Sequence, residues 1–408
     1  MSKKKQKDGH IFRPYEFLKE YRADLLKRYT TKWKETYLPF DLLNMESHYY
    51  LIISERSDGK SFIIGGEMIL YLYINYGFSA MLLRRFELDI RGSNGEQLIS
   101  NLIGFNEKTY RRTKGKYNNA VEEISNHKWN TIIYKSRKYY LARKYENEDG
   151  KELIEIDSNP FMHAWAISQQ VHNRGGGMEK IKIIVFDEYI SREGYLENEF
   201  IDFQDTLKTI IRRRNDVLVF MCGNAIDRYS IYHSEMNLRG VKNQKAGTIE
   251  NYIFDTGLKI SVEVVDYVAK EYKISNVYFS FDNPKLQADL MNKWEIGNYQ
   301  HLPEKYKPNQ VIYRYYIIYD NEKFECEIIE TENNTFTFIH PKTTDIKIND
   351  DTIIFDLNAP ISWHYRKRIT NVYDDIGKLI ASYYKQEKIC YSNNEVGHTI
   401  FSYLRDCK

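Results

Sequence analysis

Three groups of residues could do chemistry together. Residues 49–61 read Tyr-Tyr-Leu-Ile-Ile-Ser-Glu-Arg-Ser-Asp-Gly-Lys-Ser, an apolar run that stops at a turn closing with Gly59-Lys60-Ser61. Such a turn binds phosphate: backbone N–H groups of the loop and the first helical turn point at the anion, Lys60 reaches the β and γ oxygens, and the Ser61 hydroxyl ligates Mg²⁺. The expected binding set is Ser54, Arg56, Ser57, Asp58, Gly59, Lys60 and Ser61, with Ser54 where the usual G-x-x-x-x-G-K-[ST] pattern has its first glycine. The second group is Ile181-Lys182-Ile183-Ile184-Val185-Phe186-Asp187-Glu188, an apolar strand ending in two carboxylates. Asp187 would hold Mg²⁺ and Glu188 would polarise the attacking water. The third is Asn224, which suits a sensor of the γ-phosphate. The chemistry implied is hydrolysis of a nucleoside triphosphate, with ATP and Mg²⁺ as the expected cofactors.

Positioning these groups requires an α/β fold. Residues 60–76 read as an apolar helix with Phe62, Ile63, Met68 and Leu72 inward, Gly77 as its C-terminal cap and residues 79–83 as the next strand, which together make a βαβ unit. A strand buried on both faces is apolar along its length and opens its carboxyl end onto the ligand crevice, as residues 181–188 do. Downstream, Leu196, Phe200, Phe203, Leu207, Ile210 and Ile211 mark one helical face, ending at Arg212-Arg213-Arg214. A buried strand over residues 217–222 then leads to Asn224. The triple arginine either complements a helix C-terminus or sends one guanidinium to the γ-phosphate of a neighbouring subunit.

The chain resembles the small DNA-packaging ATPases of phi29-like phages, relatives of the terminase large subunits. The resemblance is carried by residues 53–61, by Leu83-Arg84-Arg85-Phe86, by Trp165-Ala166-Ile167, by Ile184-Val185-Phe186-Asp187-Glu188-Tyr189 and by the passage from Thr206 to Ala225, with a weaker echo from Asn394 to Arg405. It implies an ASCE-type P-loop ATPase with a mainly parallel sheet, a small helical linker and an α+β RNase H-like C-terminal domain. It also implies catalytic roles for Lys60, Glu188 and a trans-acting Arg212, with Ser61 and Asp187 on the metal, while Asn224 is expected to be catalytic from its own position, as a sensor of the attacking water or γ-phosphate. Arg56 sits where packaging ATPases often carry an arginine. This sequence departs from the pattern in having Ser54 for glycine, a longer span between Lys60 and Asp187, and Glu87 where a basic residue is expected.

Composition fits a globular machine. The chain has 408 residues, 42% hydrophobic and 28% charged, enough for two or three domains. There is no apolar run near about 18 residues, and the start Met-Ser-Lys-Lys-Lys-Gln-Lys-Asp lacks a signal peptide, so a cytosolic protein is expected. The four cysteines lie far apart without Cys-x-x-Cys spacing, which argues against structural zinc and disulfides. A net charge of +2 does not mark a nucleic-acid binder, so local clusters matter more. Tyr110-Arg111-Arg112-Thr113-Lys114-Gly115-Lys116-Tyr117 and Tyr134-Lys135-Ser136-Arg137-Lys138-Tyr139-Tyr140 interleave cations with aromatics. Lys135, Arg137, Lys138, Arg111 and Arg112 are the expected phosphate contacts to double-stranded DNA.

The expected organisation is an N-terminal extension (1–44), an ATPase domain (45–225), a linker (226–304) and a nuclease-like domain (305–408). Within the extension, residues 15–37 are expected to be helical and to dock on a neighbouring subunit. The linker is expected to carry helices near residues 262–273 and 285–294. The last domain reads as strands at 311–319, 324–330 and 335–340, then a helix burying Ile369, Val372, Ile376, Leu379, Ile380 and Tyr383. The strand at 311–319 holds no carboxylate, so a two-metal nuclease is not expected. The resemblance implies a homomeric ring, a pentamer, at the portal vertex of a procapsid in the host cytoplasm, with packaging RNA as a further possible partner. The rival readings are a large terminase with an active nuclease and a non-motor P-loop NTPase.

Overall fold

The computed structural model describes residues 11–29, 36–55, 58–172, 178–191, 194–226, 229–266, 298–302, 305–332, 334–360, 362–370, 372 and 374–407. The chain divides into two compact units. The first comprises Met1–Ser191, Leu196–Arg228 and Glu235–Lys293; the second comprises Arg192–Tyr195, Tyr229–Ser234 and Trp294–Lys408. Arg56, Ser57 and the helix expected at 285–294 lie outside the described residues.

Runs of Ile, Leu, Val and aromatic residues build the sheet of the first unit. Its strands are Tyr49–Ser54 (β1), Ser79–Arg84 (β2), Thr131–Lys135 (β3), Lys138–Glu146 (β4), Glu152–Ile156 (β5), Met162–Ala166 (β6), Ile181–Asp187 (β7), Leu218–Asn224 (β8), Thr248–Ile253 (β9) and Lys259–Val264 (β10). They run in the order β3-β4-β6-β2-β7-β8-β1-β10-β9, with β5 on β4. The six from β6 to β10 are mutually parallel and the outer hairpins antiparallel, so the expected mainly parallel α/β sheet is what forms. The central strands are apolar on both faces because helices and loops cover them.

Helix α1 (Pro14–Arg28) buries Phe17, Leu18, Tyr21 and Leu25 in the core of this same unit, with Phe17 stacked on Tyr21. Helix α1 is thus integral to the core of the first unit of its own chain and does not stand apart as an extension. Helix α2 spans residues 60–76 in three parts: Lys60–Phe62, a wide π turn at Ile63–Glu67, and Met68–Tyr76. Gly77 ends it at φ 73°, where only glycine is at ease. Helix α3 (Glu199–Ile211) returns antiparallel to β7 and buries Phe203, Leu207 and Ile210. The helical linker over 226–304 is corrected in part: β9 and β10 belong to the sheet, with β10 parallel to β1. Residues 260–262 are buried without a break between β1 and β9, and that pairing overrides the helical reading that began at Val262.

In the second unit Val311–Tyr319 (β11), Glu322–Glu330 (β12) and Thr335–Pro341 (β13) form an antiparallel meander. Asp320 and Asn321 take φ of 51° and 62° in the β11–β12 turn, as a tight hairpin demands. Short strands Ile354–Asp356 (β14), Tyr365–Arg366 (β15) and Ile389–Tyr391 (β16) complete the order β15-β14-β11-β12-β13-β16. Helices α4 (Asp375–Lys385) and α5 (Asn394–Asp406) are capped by the Asp374 and Asn393 side chains and pack on the sheet. Ile380 and Tyr383 are buried as expected, but Ile376 and Leu379 face solvent, because Gly377, Ile380 and Ala381 turn inward instead. Among the described residues no helix is long and apolar enough to cross a membrane.

Candidate active site

The last residues of four strands are Ser54, Arg84, Asp187 and Asn224. Because β8 lies between β1 and β7, and β2 flanks β7, these carboxyl ends open side by side onto one crevice, with Ser54 directly opposite Asn224. The loop leaving β1 returns through Gly59, whose φ of 88° and close approach to the Thr36 hydroxyl oxygen leave no room for a Cβ. α2 begins there and presents Lys60 and Ser61.

Lys60 is 5% exposed. Its Nζ donates to the Glu55 carbonyl at 2.9 Å and to Asn224 Oδ1 at 2.6 Å. Burial lowers the pKa of this amine, while Cys222, Asp187, Asp58 and Glu188 oppose the shift. The Ser61 hydroxyl donates to Asp187 Oδ1 at 2.9 Å. The sequence-predicted Lys60, Ser61, Asp187 and Asn224 therefore form two hydrogen-bonded pairs, Lys60–Asn224 and Ser61–Asp187, at adjacent strand ends. Asp58 is buried behind Lys60.

Arg84 and Arg85 belong to the shared segment Leu83–Phe86, for which the resemblance implies nucleotide sensing without assigning either residue a contact. Arg84 donates from Nη1 to Asp187 Oδ2 and from Nη2 to Glu188 Oε2, both at 2.8 Å. One guanidinium thus spans both acids at the end of β7. Arg85 is buried and donates from Nε to both oxygens of buried Glu199, at 3.0 and 2.8 Å, from Nη1 to the Glu188 carbonyl at 3.1 Å and from Nη2 to the Tyr189 carbonyl at 2.9 Å. These contacts over-determine a strained residue: Glu188 sits at φ 61°, which costs a non-glycine residue roughly 1–3 kcal/mol. The Glu188 side chain remains 55% exposed. The signal was legible in principle, as two cations at the carboxyl end of a wholly buried strand.

Arg212 follows α3 with φ 55° and ψ −118° and is exposed. Arg214 is committed to the carbonyls of Ile210, Ile211, Glu179 and Ile181, at the start of β7. The triple arginine is thus roughly 20 Å from Asp187, the length of β7, and is not brought to the crevice of its own chain.

The DNA-contact candidates separate. Lys135 and Lys138 are exposed and flank a two-residue turn, Ser136-Arg137, at φ 52° and 59°. Arg137 is engaged by Glu87 at 2.9 Å and Gln169 at 2.8 Å, which also gives Glu87, the departure from the expected pattern, a partner. Arg111 is exposed beside Glu107. Arg112 is corrected: it is buried, paired through both Nη atoms with Glu123, donating to the Arg28 carbonyl and lying 4.2 Å over the Tyr29 ring. As the next residue along the helix it projects about 100° away from Arg111, toward Glu123 and Tyr29.

No family model and no curated protein matches the chain. Solved structures do. A structure described as the Phi-28 gp11 DNA packaging motor aligns over 92% of this chain and 99% of its own, with a TM-score of 0.50 and 15% identity. The bacteriophage Phi-29 viral genome packaging motor assembly aligns over 92% and 100%, with a TM-score of 0.50 and 17% identity. At such identity the likeness is one of fold.

Proposed function

We propose that the chain is an ATP-driven translocase that packages viral double-stranded DNA into a procapsid, working as a homomeric ring. The observation that carries this reading is the meeting of Lys60, Ser61, Asp187 and Asn224 at adjacent strand ends. The fold that two packaging motors share over most of this chain supports it.

The donor set fits MgATP. Ser61 and Asp187 present hard oxygens 2.9 Å apart, suited to Mg²⁺, which when bound would neutralise charge on the phosphates. Lys60 has two of its three N–H groups on Glu55 and Asn224 and keeps a third for a phosphate oxygen. Asn224 accepts through Oδ1, so its amide N–H groups are turned to donate to an anion. Arg84 holds Glu188 beside Asp187; release of that contact lets the Glu188 carboxylate accept a hydrogen bond from the attacking water. Gly59 and the phosphate-loop positions 54–58, including Arg56 and Ser57, complete the cradle in this reading.

Arg212 is the residue that we assign to the neighbouring copy's nucleotide. Its distance from its own crevice, its exposure and its strained backbone support that role, and the commitment of Arg214 to carbonyls argues against Arg214. Lys135, Lys138 and Arg111 would contact DNA phosphates, with Arg137 fixing the hairpin turn. The second unit reads as RNase H-like, supported by an antiparallel β11-β12-β13 meander with β14 and β15 parallel beside β11. Its Glu325 and Glu327 are taken up by Arg314 and Lys342, which supports a binding role without nuclease chemistry, toward portal, packaging RNA or DNA. The ring, a pentamer on this reading, would dock transiently on the procapsid in the host cytoplasm.

The test is steady-state ATP hydrolysis against protein concentration, with and without double-stranded DNA. A rate that rises with both supports the motor; flat, DNA-independent hydrolysis leaves a non-motor NTPase, and Mn²⁺-dependent nicking of plasmid returns the large-terminase reading.

A further inference from the structure

The N-terminal segment, to which the sequence assigns no function, meets the phosphate-binding loop and its helix at two separate places. The first is the π turn of α2. There the Met68 N–H reaches back to the Ile63 carbonyl, one residue further than in an α-helix. The Tyr21 hydroxyl donates to that same carbonyl at 3.2 Å. Glu67, fully buried, closes the turn and accepts from Arg28 Nη1 and from the Tyr29 hydroxyl, each at 2.7 Å. Gly65-Gly66 lowers the preference for regular helix at this point, and Leu102 packs where a Gly66 Cβ would stand. The second place is the loop itself. The Tyr37 N–H donates to the Asp58 carbonyl at 2.6 Å and Thr36 Oγ1 to the same oxygen at 3.3 Å, while the buried Tyr37 hydroxyl donates to the Glu263 carboxylate on β10.

The π turn has a geometric consequence. One extra residue in a turn rotates everything beyond it by about 100° relative to a regular helix. Met68, Ile69 and Leu72 can therefore face the core while Lys60 and Ser61 face Asn224 and Asp187. Were the turn to relax to α, docking of the helix body would swing Lys60 and Ser61 off the crevice. A buried carboxylate without a cation is costly, so Arg28 on Glu67 is what makes this turn tenable.

We propose that Tyr21, Arg28, Tyr29 and Tyr37 are positioning residues for nucleotide binding: they brace the phosphate loop and the π turn in the register that aims Lys60 and Ser61. The inference rests on the ATPase reading of that site. Two full-length variants test it: Tyr37→Phe, which removes one hydroxyl, and the pair Arg28→Met with Glu67→Leu, which removes both buried charges together. Binding of a fluorescent ATP analogue with Mg²⁺ is measured beside thermal unfolding. Affinity about tenfold weaker or worse in both variants, at melting temperatures close to wild type, is expected. Wild-type affinity in a variant as stable as wild type overturns the brace; if the paired variant does not fold, Tyr37→Phe alone decides. A wild-type chain that binds no nucleotide overturns the ATPase reading and the brace with it.

Discussion

In each unit an arginine on a strand spans two carboxylates, and the two arrangements differ instructively. In the first, Arg84 holds Asp187 and Glu188 at the carboxyl end of a parallel strand, beside Ser61 and Lys60. Glu188 is strained in its backbone, and its carboxylate is half in solvent and held by the Arg84 guanidinium. In the second, Arg314 reaches Glu325 and Glu327 from the neighbouring strand, mid-sheet and on one face. There Glu327 also takes the Tyr306 hydroxyl and faces His340, and Glu325 takes Lys342. Strain and an acid half in solvent belong to the first triad; further partners on each acid belong to the second. An Arg–carboxylate triad at a strand end with one acid left available suits chemistry, and one whose acids are each held by further groups suits cohesion.

Removing the acids should separate the two triads most sharply. Glu188→Gln is expected to lower the ATP turnover rate by roughly 10²–10⁴-fold, whereas Glu327→Gln should leave turnover unchanged; equal losses would erase the distinction. Removing the arginines comes next. Arg84→Ala should abolish the DNA stimulation of hydrolysis, because nothing then withholds Glu188, while Arg314→Ala should cost about 1 kcal/mol of stability, its side chain being half exposed, with DNA-stimulated turnover retained.

Acidity sharpens the comparison further. Hydrogen bonds from His340, then Tyr306 and Arg314, hold the Glu327 carboxyl at about 2 against an ordinary 4.5, and Glu327 in turn raises His340. A depressed carboxyl contributes stability that is complete above its unfolded value and lost as pH falls from about 4.5 toward 2. A raised imidazole contributes below its ordinary 6.5 and loses that contribution as pH rises through its folded value. Thermal unfolding of the second unit should therefore weaken on both sides of this window, and Glu327→Gln should flatten the acid limb. The smallest effect concerns the backbone. Arg212→Gly removes a positive-φ penalty and should stabilise the chain by about 1 kcal/mol while silencing hydrolysis, a gain in melting temperature bought with activity.

Much of the first site was legible because its chemistry is local. Gly59-Lys60-Ser61, the strand ending at Asp187-Glu188 and the strand ending at Asn224 each announce themselves within ten residues, and parallel packing brings their ends together. What stayed hidden depends on partners far away in sequence. The Arg84 contacts lie more than a hundred residues off, at Asp187 and Glu188. Arg112 reads as a DNA contact until Glu123 and Tyr29 enclose it. α1 reads as an appendage because its apolar face shows only that it is covered, not by what. β9 and β10 were missed because a short β-branched run reads equally as helix or strand until β1 pairs with it. β14 and β15, three and two residues long, take their places only by pairing, β14 with β11 and β15 with β14.

The most direct test of a ring motor with a shared active site is subunit mixing. Arg212→Ala and Glu188→Gln are each expected to be inactive alone. Mixed, they should regain part of the wild-type, DNA-stimulated ATP turnover, because an Arg212→Ala copy supplies the intact acid and a Glu188→Gln copy the intact arginine. Two inactive proteins that stay inactive at every mixing ratio, while shown to co-assemble, would contradict an arginine acting between copies.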